Sequence, residues 1–288
     1  MIHIDLENKI LNSIPILDLH QAYVTDINHR LYKKLNEIKN NTIDSRITII
    51  CEYIIKNIRE IAVGDIETLR KIRETFLEMV TNKFNFNKAQ DTRDYKKFHK
   101  EIRELFESAY DDFLDIGNTV IINGIEKEWD AYQYIESLNI KICPYCHAQY
   151  INTIRNNRQL LNAGKQARPA LDHFIPKSIL PIFAVSLYNL IPACTYCNSY
   201  FKSDYYSTFE TSYSPFEKDI EKHFKFKIGS VVNELNVFEK LKDIQLPLEN
   251  KFEKSYYIKK KQNLWLKTIE NYINKYYEKD KSAEVMCD

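Results

Sequence analysis

Cys143-Pro144-Tyr145-Cys146 and Cys194-Thr195-Tyr196-Cys197-Asn198-Ser199-Tyr200-Phe201-Lys202 bracket the part of the chain whose reading decides the fold. Between them stand Asp172-His173-Phe174-Ile175-Pro176-Lys177-Ser178 and Ser186-Leu187-Tyr188-Asn189-Leu190-Ile191-Pro192. Each Cys-x-x-Cys lets two thiolates reach one ion from a tight turn, and two such turns complete a tetrahedron of sulfur. The spacing predicts a structural zinc held by Cys143, Cys146, Cys194 and Cys197. A redox pair or a disulfide is the other use of the same cysteines. Because 47 residues lie between Cys146 and Cys194, the ion would close a long loop and fix both its edges. Structural zinc contributes on the order of 10 kcal/mol to folding, so losing one ligand should unfold the region. His147 is redundant beside four sulfurs. Cys51 lies in an apolar run and reads as core, and Cys287 as incidental.

A four-sulfur site has no open position, so any chemistry must come from nearby oxygen and nitrogen groups. Asp172 and His173 are adjacent on an expected strand and point to opposite faces unless it bends. Asn198 and Lys202 are four apart on an expected helix and share a face. An amide oxygen and a carboxylate are hard ligands, suited to Mg²⁺ or Mn²⁺.

The run Asp172-His173-Phe174-Ile175-Pro176-Lys177-Ser178, then Asn189, then Cys194-x-x-Cys197-Asn198 with Lys202, resembles an HNH endonuclease of the ββα-metal type. It is similar to the zinc-stapled HNH proteins of bacterial restriction and phage defence, and to the HNH domains of RNA-guided nucleases. The resemblance covers residues 143–202. It implies that His173 is the general base for hydrolysis of a DNA phosphodiester. It further implies that Asp172 and Asn198 ligate a catalytic Mg²⁺ or Mn²⁺, and that Asn189 holds the loop and orients the histidine. Lys177 and Lys202 would contact phosphate. Many family members have histidine at the third signature position, where this chain has Asn198; that departure favours Mg²⁺ or Mn²⁺ over softer ions. The implied partners are DNA and an ATPase or other defence-system subunit. An inactive, zinc-stapled nucleic-acid-binding module is the alternative. One such site cuts one strand, so double-strand cleavage would need two sites or a homodimer.

Residues 1–138 carry no chemical motif. In the C-terminal part Lys259-Lys260-Lys261 with Tyr256, Tyr257 and Trp265 could contact a nucleic-acid backbone, a solvated helix face being the other reading. The chain's 288 residues are 44% hydrophobic and 28% charged, enough apolar content for a sizeable core. With five glycines, glycine-rich phosphate loops are disfavoured. The start lacks a basic segment leading into an apolar one, and no apolar run reaches membrane-spanning length, so a cytoplasmic location is expected. Net charge is +1, but residues 1–140 hold 19 Lys+Arg against 24 Asp+Glu, leaving 22 against 16 for residues 141–288. A basic second half suits a polyanionic substrate.

The expected fold class is α+β: a mainly helical chain carrying a ββα-metal nuclease core with a four-cysteine zinc site. The expected division is a helical region at 1–138, the zinc-stapled core at 139–210, and an α+β extension at 211–288 that packs on it. Leu17, Val24, Ile27, Leu31, Leu35 and Ile38 form one apolar stripe. Asp44 or Thr42 caps a helix with Ile47, Ile50, Ile54 and Ile58, and Asp65 caps one running from Ile66 to Val80. Further helices are expected at 92–114 and 126–138. Strands are expected at 149–154, 170–175, 187–191 and 223–228, with a helix from 195 to 203. A basic, tyrosine-rich helix is expected at 254–277. His20, His29 and His99 read as surface or core residues rather than ligands.

Overall fold

A computed structural model describes residues 3–26, 29–147, 149–154, 167–202, 207, 209 and 212–218. The expected strand at 223–228, the helix at 254–277, Cys287, most of the tip at 155–168 and the side chain of Lys202 lie outside the described residues. What is described is α+β, with many helices and three small two-stranded sheets.

A short hairpin, β1 (Ile10–Leu11) and β2 (Ile14–Pro15), leads into α1 (Ile16–Thr25) and α2 (Arg30–Asn41). The stripe expected from Leu17 to Ile38 is therefore divided between two helices. The chain leaves the helical conformation at Asp26, and the His29 ring starts the next helix by accepting from the Leu31 N–H at 3.3 Å. Ile27 lies outside the described residues. Asp44 caps α3 (Ser45–Lys56) by accepting from the Arg46 N–H at 2.9 Å. Ile58 begins a separate helix, α4 (Ile58–Val63), after Asn57 breaks the run. Gly64 then passes so close to α4 that a Cβ there would lie 2.4 Å from the Glu60 carbonyl oxygen. Asp65 caps α5 (Ile66–Lys83) through the Thr68 N–H at 2.9 Å.

The longest element among the described residues is α6 (Ala89–Leu114), which spans about 39 Å at 1.5 Å per residue. Its apolar face buries Phe98, Ile102, Leu105, Phe106, Ala109, Tyr110 and Phe113. Arg46 ties its start to α3, bonding Asp91 at 2.9 Å and Asp94 at 3.1 Å while lying over the Phe84 ring.

The helix expected at 126–138 is half hairpin. β3 (Thr119–Ile122) and β4 (Ile125–Glu128) pair antiparallel, and α7 begins only at Ala131 and runs to Leu138. Asn123 and Gly124, at φ 51° and 75°, form the turn between the strands. An Asn-Gly pair is the strongest short-range hairpin signal, because both positions need positive φ. Asp130 caps α7 by accepting from the Gln133 N–H at 2.9 Å.

The third sheet, β5 (Ala170–His173) with β6 (Leu190–Ala193), places Asp172 opposite Ile191 and His173 opposite Leu190. The strand expected at 187–191 is thus displaced: Leu187–Asn189 is a 3₁₀ turn and β6 follows it. Residues 149–154 form only the isolated pairings Ile142 with Tyr150 and Ile154 with Ala167. After β6 a π-type helix, Tyr196–Lys202, leaves the second cysteine pair. One continuous apolar core joins α1–α7 to the residues around β5 and β6, Cys51 among them. No helix among the described residues is long and apolar enough to cross a membrane.

His20 sits at the centre of this core, fully buried against Phe113 and Trp129. The Trp129 indole, a donor only, gives its proton to His20 Nδ1 at 3.1 Å. Nε2 therefore carries the ring hydrogen and donates to the Val185 carbonyl at 2.6 Å. Burial holds the imidazole neutral and lowers its pKa to about 4. The unfolded chain takes up this proton near the ordinary value of about 6.5, so the native state loses stability as pH falls from about 6.5 to about 4. The loss is on the order of 3 kcal/mol. Urea midpoints at pH 7 and pH 4.5 should therefore drop further in wild type than in His20→Gln, which has no imidazole to titrate.

Candidate metal centre and catalytic hairpin

The four knuckle cysteines are buried, and their Sγ atoms all lie within 4.8 Å of one another. Cys146 Sγ and Cys194 Sγ are 3.9 Å apart. A disulfide requires about 2.05 Å. Sulfurs at about 2.3 Å from a tetrahedral zinc stand roughly 3.8 Å apart, close to the separation seen. All four are free thiols. Backbone N–H groups of Cys194 and Cys197 point at Cys143 Sγ and Cys194 Sγ, each at 3.4 Å. Hydrogen bonds from the neighbouring thiols pull Cys143 well below the ordinary thiol range. The set can hold a metal ion such as zinc. His147 does not join it; this residue closes the first knuckle at φ 54° and faces the Pro144 carbonyl at 3.2 Å.

Between the knuckles, β5 carries Asp172 and His173, and the connection of residues 174–189 returns to β6. Residues 180–189 of that connection are all buried, so their carbonyls need donors. Beside short-range backbone bonds, side chains supply several of them. Asn189 Nδ2 donates to the Phe183 carbonyl at 3.0 Å and to that of Ile175 at 3.1 Å. His173 Nε2 donates to Ala184 at 3.1 Å, and His20 takes Val185. The Tyr134 hydroxyl, from α7, lies 3.3 Å from the Leu187 oxygen and 2.8 Å from that of Leu190. Asn189 Oδ1 in turn accepts from the Ile175 N–H at 2.7 Å.

The electrostatics of His173 follow from this pinning. A carbonyl oxygen only accepts, so in the neutral ring Nε2 carries the hydrogen and Nδ1 carries the basic lone pair. Tyr110 of α6 packs edge-on against the ring at 4.5 Å between centroids. Burial raises the Tyr110 hydroxyl to about 12, so it stays protonated at neutral pH.

Asp172 points away from this environment. It is 3% exposed and its Oδ2 accepts from the Tyr145 hydroxyl at 2.7 Å. Burial, reinforced by the carboxylate, keeps that hydroxyl protonated. Asn198 is half-buried in the first turn of the π-type helix, its N–H bonded to the Cys194 carbonyl at 3.0 Å. That helix packs against β5. Lys177 is drawn back onto α6, with Nζ 3.7 Å from Glu107 and 5.1 Å from the centre of the Tyr110 ring.

Three supporting residues, Tyr110, Tyr134 and Tyr145, carry no sequence signal that marks them. Tyr145 lies inside the first knuckle, where only the cysteines announce themselves. Compared with known proteins, the chain matches no family model, no curated protein and no solved structure.

Replacing Asn189 by alanine strands the buried N–H of Ile175 and removes a donor from two carbonyls. Each unsatisfied buried group costs about 1–3 kcal/mol, so Asn189→Ala should lose about 3 kcal/mol or more of stability by urea denaturation. Elemental analysis of the purified chain should find zinc, and Cys194→Ser should lose it together with the near-ultraviolet circular dichroism of the packed core.

Proposed function

We propose that the chain is a metal-dependent endonuclease of the HNH type, hydrolysing DNA phosphodiesters at the β5–β6 hairpin. The observation that carries this reading is His173, whose Nε2 is committed to the Ala184 carbonyl so that Nδ1 is its basic atom. Strand, long stapled loop, strand and helix follow one another in the order of a ββα unit. One cysteine pair precedes β5, and the other stands at the junction of β6 with the helix.

In this reading a water proton passes to His173 Nδ1 while the water oxygen bonds to phosphorus and the bond to the 3′ oxygen breaks. The carboxylate of Asp172 and the amide oxygen of Asn198 are the hard donors that would hold Mg²⁺ or Mn²⁺. When bound, the ion offsets negative charge developing on the phosphate and on the leaving oxygen. Tyr110 and the Ala184 carbonyl keep the imidazole from turning, so its lone pair meets each substrate in one orientation. The zinc clamp takes no part in the chemistry, having no open position. The surplus of Lys and Arg in residues 141–288 favours a polyanionic substrate.

General-base catalysis by histidine contributes roughly 10²–10⁴-fold. His173→Ala should therefore lower plasmid nicking in Mg²⁺ by at least about 100-fold while retaining zinc, with a urea midpoint lowered only by the loss of the donor to the Ala184 carbonyl. Nicking at the wild-type rate by this variant, or wild-type nicking that persists in EDTA, would reject the proposal. DNA retention without nicking by the wild-type chain would point instead to a binding module.

A further inference from the structure

The tyrosines of the described residues divide sharply by exposure. Most are buried or half-buried, and Tyr23, Tyr110 and Tyr134 also bond a backbone carbonyl through the hydroxyl. Among the described residues only Tyr150, Tyr196 and Tyr200 are exposed, at 76%, 60% and 72%. All three adjoin the cysteine cluster. The small core there consists of the four cysteines with Ile151 and Ala193, and none of the three rings belongs to it. Tyr150 precedes Ile151, and Tyr196 stands inside the second knuckle, next to Cys197. Tyr200 follows Tyr196 by four positions on the π-type helix, close to one turn, so the two rings leave the same side.

Aromatic rings held outward on a rigid support suit a planar, partly apolar partner. Charge selects which one. Residues 141–202 contain seven Lys and Arg against a single acid, Asp172, and that carboxylate is 3% exposed. The stretch therefore offers solvent tyrosine rings and cations but no exposed carboxylate. Lys141, itself exposed, accepts from the Ile151 N–H at 2.9 Å through its carbonyl, which places a cation on the strand beside Tyr150. A polyanion with planar groups is a nucleic acid. In a duplex each base face is covered by its neighbours, so only unpaired bases can stack on a side chain. The helix that carries Tyr196 and Tyr200 packs against β5, the strand of His173.

We propose that the cysteine-held unit binds single-stranded DNA by stacking bases on Tyr150, Tyr196 and Tyr200, and that unpaired DNA is thereby the substrate brought to the β5–β6 hairpin. The substrate clause rests on the reading of the hairpin as a DNA nuclease; the binding surface does not. Phosphates contribute charge attraction along the basic stretch, and the rings supply the preference for unpaired bases.

The test uses the full-length, zinc-loaded chain without added Mg²⁺, so that no cleavage intervenes. Fluorescence anisotropy measures its affinity for a fluorescein-labelled single strand of about 20 nucleotides and for the duplex of the same sequence. Wild type should bind the single strand more tightly by about 10-fold or more. Tyr150→Ala and Tyr196→Ala should each weaken single-strand binding by about 5-fold or more, as loss of one stacked base does. Tyr196→Phe keeps the ring and should bind like wild type. Zinc content, measured by elemental analysis, should be unchanged, and Tyr150→Ala, which lies outside both knuckles, decides the matter even if Tyr196→Ala loses zinc. In Mg²⁺ the wild type should cut the single strand faster than the duplex. Equal affinity for strand and duplex, or undiminished binding by the alanine variants, would overturn the proposal, and continued plasmid nicking would then leave the nuclease reading standing. Tyrosine-dependent binding of the single strand with no cleavage of any DNA in Mg²⁺ would uphold the stacking surface and remove the nuclease reading, and the substrate clause with it.

Discussion

A buried carbonyl must find a donor, and the connection between β5 and β6 has several in succession with no sheet or long helix to satisfy them. This constraint organises the molecule. Phe183, Ala184 and Val185 each receive a hydrogen bond from a side chain, and so does Leu190 where β6 begins; the donors come from Asn189, His173, α1 and α7. Helices distant in sequence are thereby tied to the one loop that holds the His173 ring. The helical first half contributes directly to the geometry of the hairpin, through His20, Tyr110 and Tyr134. The core that it shares with β5 and β6 is continuous.

His20 shows how such a donor is specified. A histidine in an apolar core would be an awkward choice for packing alone, since charging it there is unfavourable. Trp129 and Val185 resolve the problem together, one as an obligate donor and the other as an obligate acceptor. The neutral tautomer is the only one that satisfies both. Trp129 is fully buried at the end of the β3–β4 hairpin, so the hairpin, α1 and the loop share one hydrogen-bonded chain.

Much of the helical framework was legible because its signals are local. Asp44 and Asp65 mark helix starts, Gly64 marks a break, and the apolar faces of α5 and α6 recur at helical spacing. The Cys-x-x-Cys pairs were legible for the same reason, and the four thiols do come together. Readings failed where an apolar pattern ran across a turn. The stripe from Leu17 to Ile38 has helical period on both sides of Asp26, and periodicity alone does not see the break between them. At 126–138 the Asn123-Gly124 turn was the decisive signal, and it overrides the helical pattern that follows. The contacts that support the candidate site were not legible at all. Tyr110 and His173 are joined by tertiary packing across 63 positions of sequence, and no local pattern records it.

Adjacent residues on a strand face opposite ways, and here that geometry assigns Asp172 and His173 to different supports. Asp172 turns to the tyrosine of the cysteine knuckle, whereas His173 turns to α6 and the stapled loop. The ring is held by a backbone carbonyl and an aromatic edge, and the carboxylate accepts from a phenol hydroxyl. The backbone of β5 stands between the cysteine cluster and the helical core. Disturbing either support would move one of the two groups relative to the other, so the clamp and the helices act on the same pair of residues from opposite sides.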